Sequence, residues 1–273
     1  MATLSEGTHT VYRGEEPIGT AELAWLDEGM GVRGGRFYSA PGYETVRAVF
    51  RAFAAADGDR DQLARYYRER DALGLEVRGP DGRRLTACVH ILDFTEQVPG
   101  LGAAELEIEL YPPNAPTLLP YTEADWQAVC RVHDAARPIE LVRSGVDAAA
   151  MRPMADVAER DAFHASISLV AEVDGAVVGF VSFWDDFVTW LYVDPACQGR
   201  GIGRALVSAA LECIGDQAWA TALASNAASI GLFRSFGMVV VKRYPDDREG
   251  HPCESVRLAL PTSHMADPDT QLD

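Results

Sequence analysis

Residues 191–206 read Leu-Tyr-Val-Asp-Pro-Ala-Cys-Gln-Gly-Arg-Gly-Ile-Gly-Arg-Ala-Leu, an order suited to holding an anion. An apolar run ends at Asp194-Pro195, where proline cannot continue a strand ladder. Glycines follow at every second position, Gly199, Gly201 and Gly203, and a helix-patterned stretch begins there. The first turn of a helix carries amide N–H groups without an intrahelical acceptor, and the peptide dipoles add partial positive charge. A glycine turn lets a phosphate approach those amides, because no Cβ intervenes. Arg200 and Arg204 could add charge-assisted bonds. The spacing is neither the dinucleotide pattern G-x-G-x-x-G nor a Gly-Lys-Ser/Thr phosphate loop.

Proton transfer would need a carboxylate near such a site. Asp185 and Asp186 lie between two apolar runs, and Glu172 lies on an adjacent strand-like segment. Each could accept a proton directly or through water. The plainer readings are a solvated turn for the aspartates and an exposed strand position for Glu172. Trp184, Trp190 and Tyr192 could line an acceptor pocket, although aromatic residues on strands commonly build cores. Cys197 has no histidine partner nearby in sequence and reads as a small apolar residue.

The elements that must position these residues occupy residues 119–260. Residues 122–136 have a capping threonine followed by Trp126, Val129, Cys130 and Val132 at helical spacing. A second helix is predicted at 156–165. Strands follow at 168–173, 177–184 and 187–193, with a hairpin turn at Asp174-Gly175. Then come a helix at 203–214, a strand at 218–224, a helix at 227–236 and strands at 239–243 and 254–260. Asn226 suits the N-cap of the 227–236 helix and Gly237 its C′ position.

Pro112-Pro113-Asn114-Ala115-Pro116 interrupts any regular element, so residues 112–118 read as a linker. Residues 1–111 read as a small α+β domain. Strands are predicted within 7–26, helices at 43–56 and 59–73, a hairpin over 75–94 and a strand at 105–111. Residues 29–35, Gly-Met-Gly-Val-Arg-Gly-Gly, read as a turn and lack the strand-to-helix frame of a phosphate site. Residues 261–273 are polar and are expected to be a disordered tail.

The chain has 273 residues and a formal charge of −17. That charge disfavours a phosphate backbone as partner and suits a cationic amine. No apolar run approaches the roughly 18 residues of a membrane span, and residues 1–10 lack a signal pattern, so the expected compartment is the cytoplasm. The five cysteines are scattered and never spaced C-x-x-C, which argues against a zinc site or a disulfide framework.

Gln198-Gly199-Arg200-Gly201-Ile202-Gly203, preceded by Leu-Tyr-Val-Asp-Pro, resembles the Q/R-x-x-G-x-G/A pyrophosphate loop of the GNAT N-acetyltransferases. The strand, Asn226 and helix ending in Gly237-Met238 resemble the strand-Asn-helix element of that family. The resemblance covers about half the chain and says nothing of residues before Pro112. It implies an acyl-CoA N-acyltransferase fold of the α+β class, a mixed central sheet with flanking helices, behind the small first domain. It implies acetyl-CoA as cosubstrate, bound by Leu191, Tyr192, Val193, Gln198, Gly199, Arg200, Gly201, Ile202, Gly203, Arg204, Asn226 and Phe233. Backbone groups of Leu191 and Val193 would hold the pantetheine arm, and the N–H of Val193 or its neighbour would polarise the thioester carbonyl. The acetyl group would pass directly to an amine of a small molecule, peptide or protein. Many members protonate the departing thiolate with a tyrosine whose matching position here is Phe233, which has no proton to give. An acetyl-CoA-binding sensor or interaction module without chemistry therefore stays open as the second reading, as does assembly into a homodimer.

Overall fold

The computed structural model describes residues 7–93 and 106–270. The chain divides into two compact units, Met1–Ala115 and Pro116–Asp273.

The first unit contains β1 (Thr8–Arg13), β2 (Glu16–Glu22), β3 (Ala24–Asp27), β4 (Val32–Ser39), α1 (Arg47–Ala55), α2 (Arg60–Ala72), β5 (Leu75–Arg78), β6 (Arg84–Leu85), β7 (Cys88–Leu92) and β8 (Leu106–Tyr111). Its strands form one antiparallel sheet in the order β6-β5-β1-β2-β4-β8-β7, with β3 paired to β4. Val11, Phe37, Phe50, Tyr66 and Ile108 are the centre of the core between sheet and helices. β4 corrects the turn expected at residues 29–35. Gly34 and Gly35 serve close approach here: a Cβ on Gly35 would lie 2.0 Å from Glu22 O, and one on Gly34 would lie 2.6 Å from Ile108 O. The ends of two expected strands, at 94 and 105, lie outside the described residues.

The second unit contains β9 (Thr117–Pro120), α3 (Trp126–Arg143), α4 (Val157–Ala165), β10 (Ile167–Val173), β11 (Ala176–Trp184), β12 (Phe187–Val193), α5 (Ile202–Ile214), β13 (Trp219–Leu223), α6 (Ala227–Arg234), β14 (Val239–Arg248) and β15 (His251–Ala259). The sheet order is β14-β15-β13-β12-β11-β10-β9. Every pairing is antiparallel except β12 with β13. Side chains alternate between the two faces. Val181 and Val188 pack with Leu206 of α5 and Phe233 of α6 on one face. Phe180 points to the other, where its ring lies 5.7 Å from Phe163 of α4 and 5.9 Å from Tyr192.

Several segments differ from the expected ones: the last two strands meet in a longer hairpin, β14 running on to Arg248 and β15 starting at His251. Residues 117 and 118, expected in the linker, open β9, and the buried Leu119 pairs with Val170. α3 continues through Pro138 to Arg143 because Leu141, fully buried, rewards its last turns. Residues 261–270, expected to be disordered, carry a short 3-10 turn at His264–Ala266. Met265 is buried there against Trp219 and Ala259, and Arg257 Nη1 donates to Thr270 O at 2.9 Å. Residues 271–273 lie outside the described residues. No helix among the described residues is long and apolar enough to cross a membrane.

Candidate active site

The glycine turn joins β12 to α5. After Asp194 a 3-10 turn, Pro195–Cys197, is fixed by the Asp194 carboxylate, which accepts the Ala196 N–H at 2.9 Å. Gly199 and Gly201 follow with φ of 76° and 82°, a left-handed conformation that glycine adopts without a Cβ penalty. A Cβ on either would meet nothing within 4 Å, so the turn borders open space. Gly201 is the N-cap of α5 and offers no side-chain acceptor. The Ala205 N–H closes onto Gly201 O at 3.0 Å, while the amides of Gly199, Gly201, Ile202 and Gly203 find no backbone acceptor among the described residues. Gln198 Nε2 donates to Val193 O at 3.1 Å, tying the turn to the strand end. Arg204 donates to Ser235 Oγ at 2.6 Å and lies 4.6 Å above the Phe236 ring, so the segment that ends α6 holds its guanidinium.

β12 and β13 pair only at Phe187↔Trp219 and Val188↔Ala220, and beyond that rung the two strands part. Thr189 marks the parting. Against β11 the register runs from Ser182↔Trp190 to Phe183↔Val188, so Thr189 is the extra residue of a β-bulge. Among the described residues it is unpaired toward both neighbouring strands, and its buried Oγ1 has no hydrogen-bond partner. Nothing in the amino-acid pattern of β12 announced this bulge.

The parted strands open into a cleft of about 2090 Å³ that extends to the glycine turn. Arg137 and Glu140 of α3 line it, and the sequence pattern pointed to neither. Glu140 of α3 accepts from Arg137 Nη1 at 2.7 Å and from Tyr192 Oη at 3.1 Å through one oxygen, and from Asn226 Nδ2 at 3.0 Å through the other. Burial, and then the Glu140 charge, push the Tyr192 phenol above its usual range. Burial opposes the Arg137 charge, yet Tyr192 and Glu140 hold its pKa above the ordinary value. Ending the predicted helix at residue 136 hid this cluster, since both Arg137 and Glu140 follow it.

Residues 126–238 match the acetyltransferase (GNAT) family. The C-terminal unit carries a GNAT acetyltransferase domain. Over 90 residues the chain is 37% identical to the L-methionine sulfoximine/L-methionine sulfone acetyltransferase of Salmonella typhimurium, a match over 28% of this chain and 53% of that protein. The chain therefore spans about half the length of this curated relative. Among solved structures, a GCN5-related N-acetyltransferase from Rhodopseudomonas palustris is 24% identical with a TM-score of 0.44, over 53% of this chain and 94% of its own. An acetyltransferase structure from Salmonella typhimurium, solved with its cofactor acetyl-CoA, is 28% identical with a TM-score of 0.43, over 58% of this chain and all of its own.

Within the GNAT domain most of the residues named from sequence border the cleft. They include Leu191, Tyr192 and Val193 of β12, Gln198, Gly199, Gly201, Ile202, Gly203 and Arg204 of the turn and α5, and Asn226 and Phe233 of α6. Arg200 does not line it, and its guanidinium lies 3.9 Å from Cys197 Sγ. Asn226 caps α6, its Oδ1 accepting the Ser229 N–H at 3.1 Å. Phe233 is 3% exposed and belongs to the apolar core beneath the cleft.

The three carboxylates separate. Asp185 is exposed with φ of 55°, the left-handed turn position that aspartate tolerates, and it borders the cleft. Asp186 also borders the cleft; its Oδ1 accepts from Trp219 Nε1 at 2.8 Å and its Oδ2 lies 3.3 Å from His264 Nδ1. Glu172 is not brought to the cleft. It lies on β10, separated from β12 by β11, and faces Thr117 across the rung to β9.

Proposed function

We propose that this GNAT domain is an acetyl-CoA-dependent N-acetyltransferase that passes the acetyl group directly to an amine. The observation that carries the reading is the set of amides of Gly199, Gly201, Ile202 and Gly203, without a backbone acceptor among the described residues, at the start of α5 and open to the cleft where β12 and β13 part. A pyrophosphate fits there for three reasons. The helix start is positively polarised, the glycines leave room, and Arg204 stands beside the turn. Acetyl-CoA, when bound, supplies the thioester whose acetyl group the amine takes.

The chain's own residues then have three tasks. The turn anchors the diphosphate. The freed backbone of β12 around the Thr189 bulge offers N–H groups to a developing oxyanion. A base must take the ammonium proton, and Asp186 serves it through His264, whose Nδ1 it faces at 3.3 Å. Phe233 leaves the departing thiolate to solvent, which suits a thiolate of moderate basicity.

The name of the Salmonella relative puts amino-acid-like acceptors first. The test is release of free thiol from acetyl-CoA across a panel containing L-methionine sulfoximine, L-methionine sulfone, polyamines and peptide amines. Turnover with any member supports the reading. Binding of acetyl-CoA without release for every amine favours the sensor that Phe233 keeps open.

A further inference from the structure

We infer that Glu140 is a positioning residue, a clasp that sets the width of the opening between β12 and the β13–α6 arm and so presents both sides to the coenzyme; this rests on reading that cleft as the acetyl-CoA site. Past Val188↔Ala220 no ladder bond joins the two arms among the described residues. On one face they share the apolar core of Ile202, Leu206 and Phe233. On the other, the Glu140 carboxylate spans the gap, taking Tyr192 Oη from the β12 side at 3.1 Å and Asn226 Nδ2 from the α6 side at 3.0 Å.

The arrangement has one sense only. Asn226 Oδ1 is occupied by the Ser229 N–H, so its amide nitrogen must be the atom that faces Glu140. Arg137, three residues before Glu140 on the same helix face, compensates the charge at 2.7 Å. Three donors on one carboxylate leave it engaged rather than poised to take a proton, so its role is placement. Without the clasp the arms would sample several widths, and the coenzyme would have to select the competent one, which lowers apparent affinity.

The experiment uses the full-length chain and acetyl-CoA, with calorimetric affinity as the first readout and thiol-release kinetics as the second. Asn226→Asp keeps a good N-cap for α6 but sets a carboxylate against Glu140. It is expected to weaken acetyl-CoA binding about tenfold or more and to raise KM for acetyl-CoA more than it lowers kcat. The pair Glu140→Gln with Asn226→Asp puts a donor opposite the new carboxylate and is expected to recover most of that loss. A direct contact between Asn226 and the coenzyme would not be restored by a change at residue 140.

Wild-type affinity in Asn226→Asp, or a double variant no better than the single, overturns the clasp. Thermal unfolding checks that each variant folds. If Asn226→Asp does not fold, Glu140→Gln alone carries the test. It turns an amide toward a neighbouring donor and is expected to weaken binding about fivefold, and unchanged affinity would overturn the inference. A wild-type chain that takes up no acetyl-CoA at all refutes the reading of the cleft, and that control separates the two failures.

Discussion

Trp219 is bonded to Asp186 twice: its indole N–H donates to Oδ1 at 2.8 Å, and its backbone N–H donates to the Asp186 carbonyl at 3.0 Å. The β11–β12 turn is thereby fastened to the start of β13, at the closed end of the parting strands. What remains of the carboxylate is Oδ2, and His264 Nδ1 stands 3.3 Å from it. An aspartate that orients an imidazole leaves Nε2 to act on a substrate. His264→Ala is therefore expected to lower kcat about a hundredfold, the scale of a positioned base. Acetyl-CoA affinity should not change. Over the range where the acceptor is an ammonium ion, the rate of the variant should climb about tenfold per pH unit, more steeply than the wild type. A variant with wild-type kcat would remove the pair from the proton path.

Gly201 tests the anchor. With φ of 82° it sits where an L-residue costs about 1–2 kcal/mol, yet a Cβ there touches nothing within 4 Å. Gly201→Glu adds a negative charge in the space proposed for the diphosphate. Calorimetry should show acetyl-CoA affinity reduced about a hundredfold or more, while the fold loses only the backbone cost. Retained affinity would mean that the turn does not grip a diphosphate.

Thr189 offers a stability test with the opposite sign. Its buried Oγ1 has no partner among the described residues, and a buried unsatisfied hydroxyl costs about 1–3 kcal/mol. Thr189→Val keeps the volume and removes that group. The chain should melt a few degrees higher. If the hydroxyl serves bound ligand, kcat/KM should fall at the same time, a trade of function for stability. A variant that is neither more stable nor slower would show that the hydroxyl finds a partner in solution.

The glycine turn between β12 and α5 was legible because a proline, three glycines and a helix pattern all occur within one short window, so local chemistry determined its shape. The same holds for the Asn226 cap. Glu140 was not legible. It acts through Tyr192 and Asn226, which lie 52 and 86 residues away, and it follows a proline that reads as a helix end. Nor was the Thr189 bulge, since a bulge is a property of pairing between strands and β12 alone alternates no differently for having one. Met265 was read as part of a polar tail because one apolar residue gives no period, and only Trp219 and Ala259 across the fold explain its burial. Gly34 and Gly35 misled for the converse reason. Adjacent glycines suggest a turn, but here they admit the backbone of neighbouring strands.

In the first unit a buried histidine predicts how stability depends on pH. His90 of β7 lies against the Tyr66 phenol and edge-on to Phe53 at 4.5 Å. Burial, and then the Arg70 charge, lower its pKa to about 3, so the folded ring is neutral and its Nδ1 shares a hydrogen bond with the Tyr66 hydroxyl. The unfolded ring has the ordinary value near ~6.5. Between those values the unfolded chain holds more protons, so stability rises with pH across that window. The contribution is whole above the unfolded value and falls by up to about 1.4 kcal/mol for each pH unit below it. His90→Gln keeps a hydrogen-bonding group for Tyr66 and removes the titration. It should be less stable than wild type at pH 7 because packing against Phe53 is lost, with a flatter profile between pH 6.5 and 4.5. His9, whose pKa burial also lowers, would keep part of the slope. Hydrogen exchange of the β7 amides in the full chain, followed against pH, locates the effect in this unit. A wild-type slope retained in His90→Gln would assign the proton uptake to other groups.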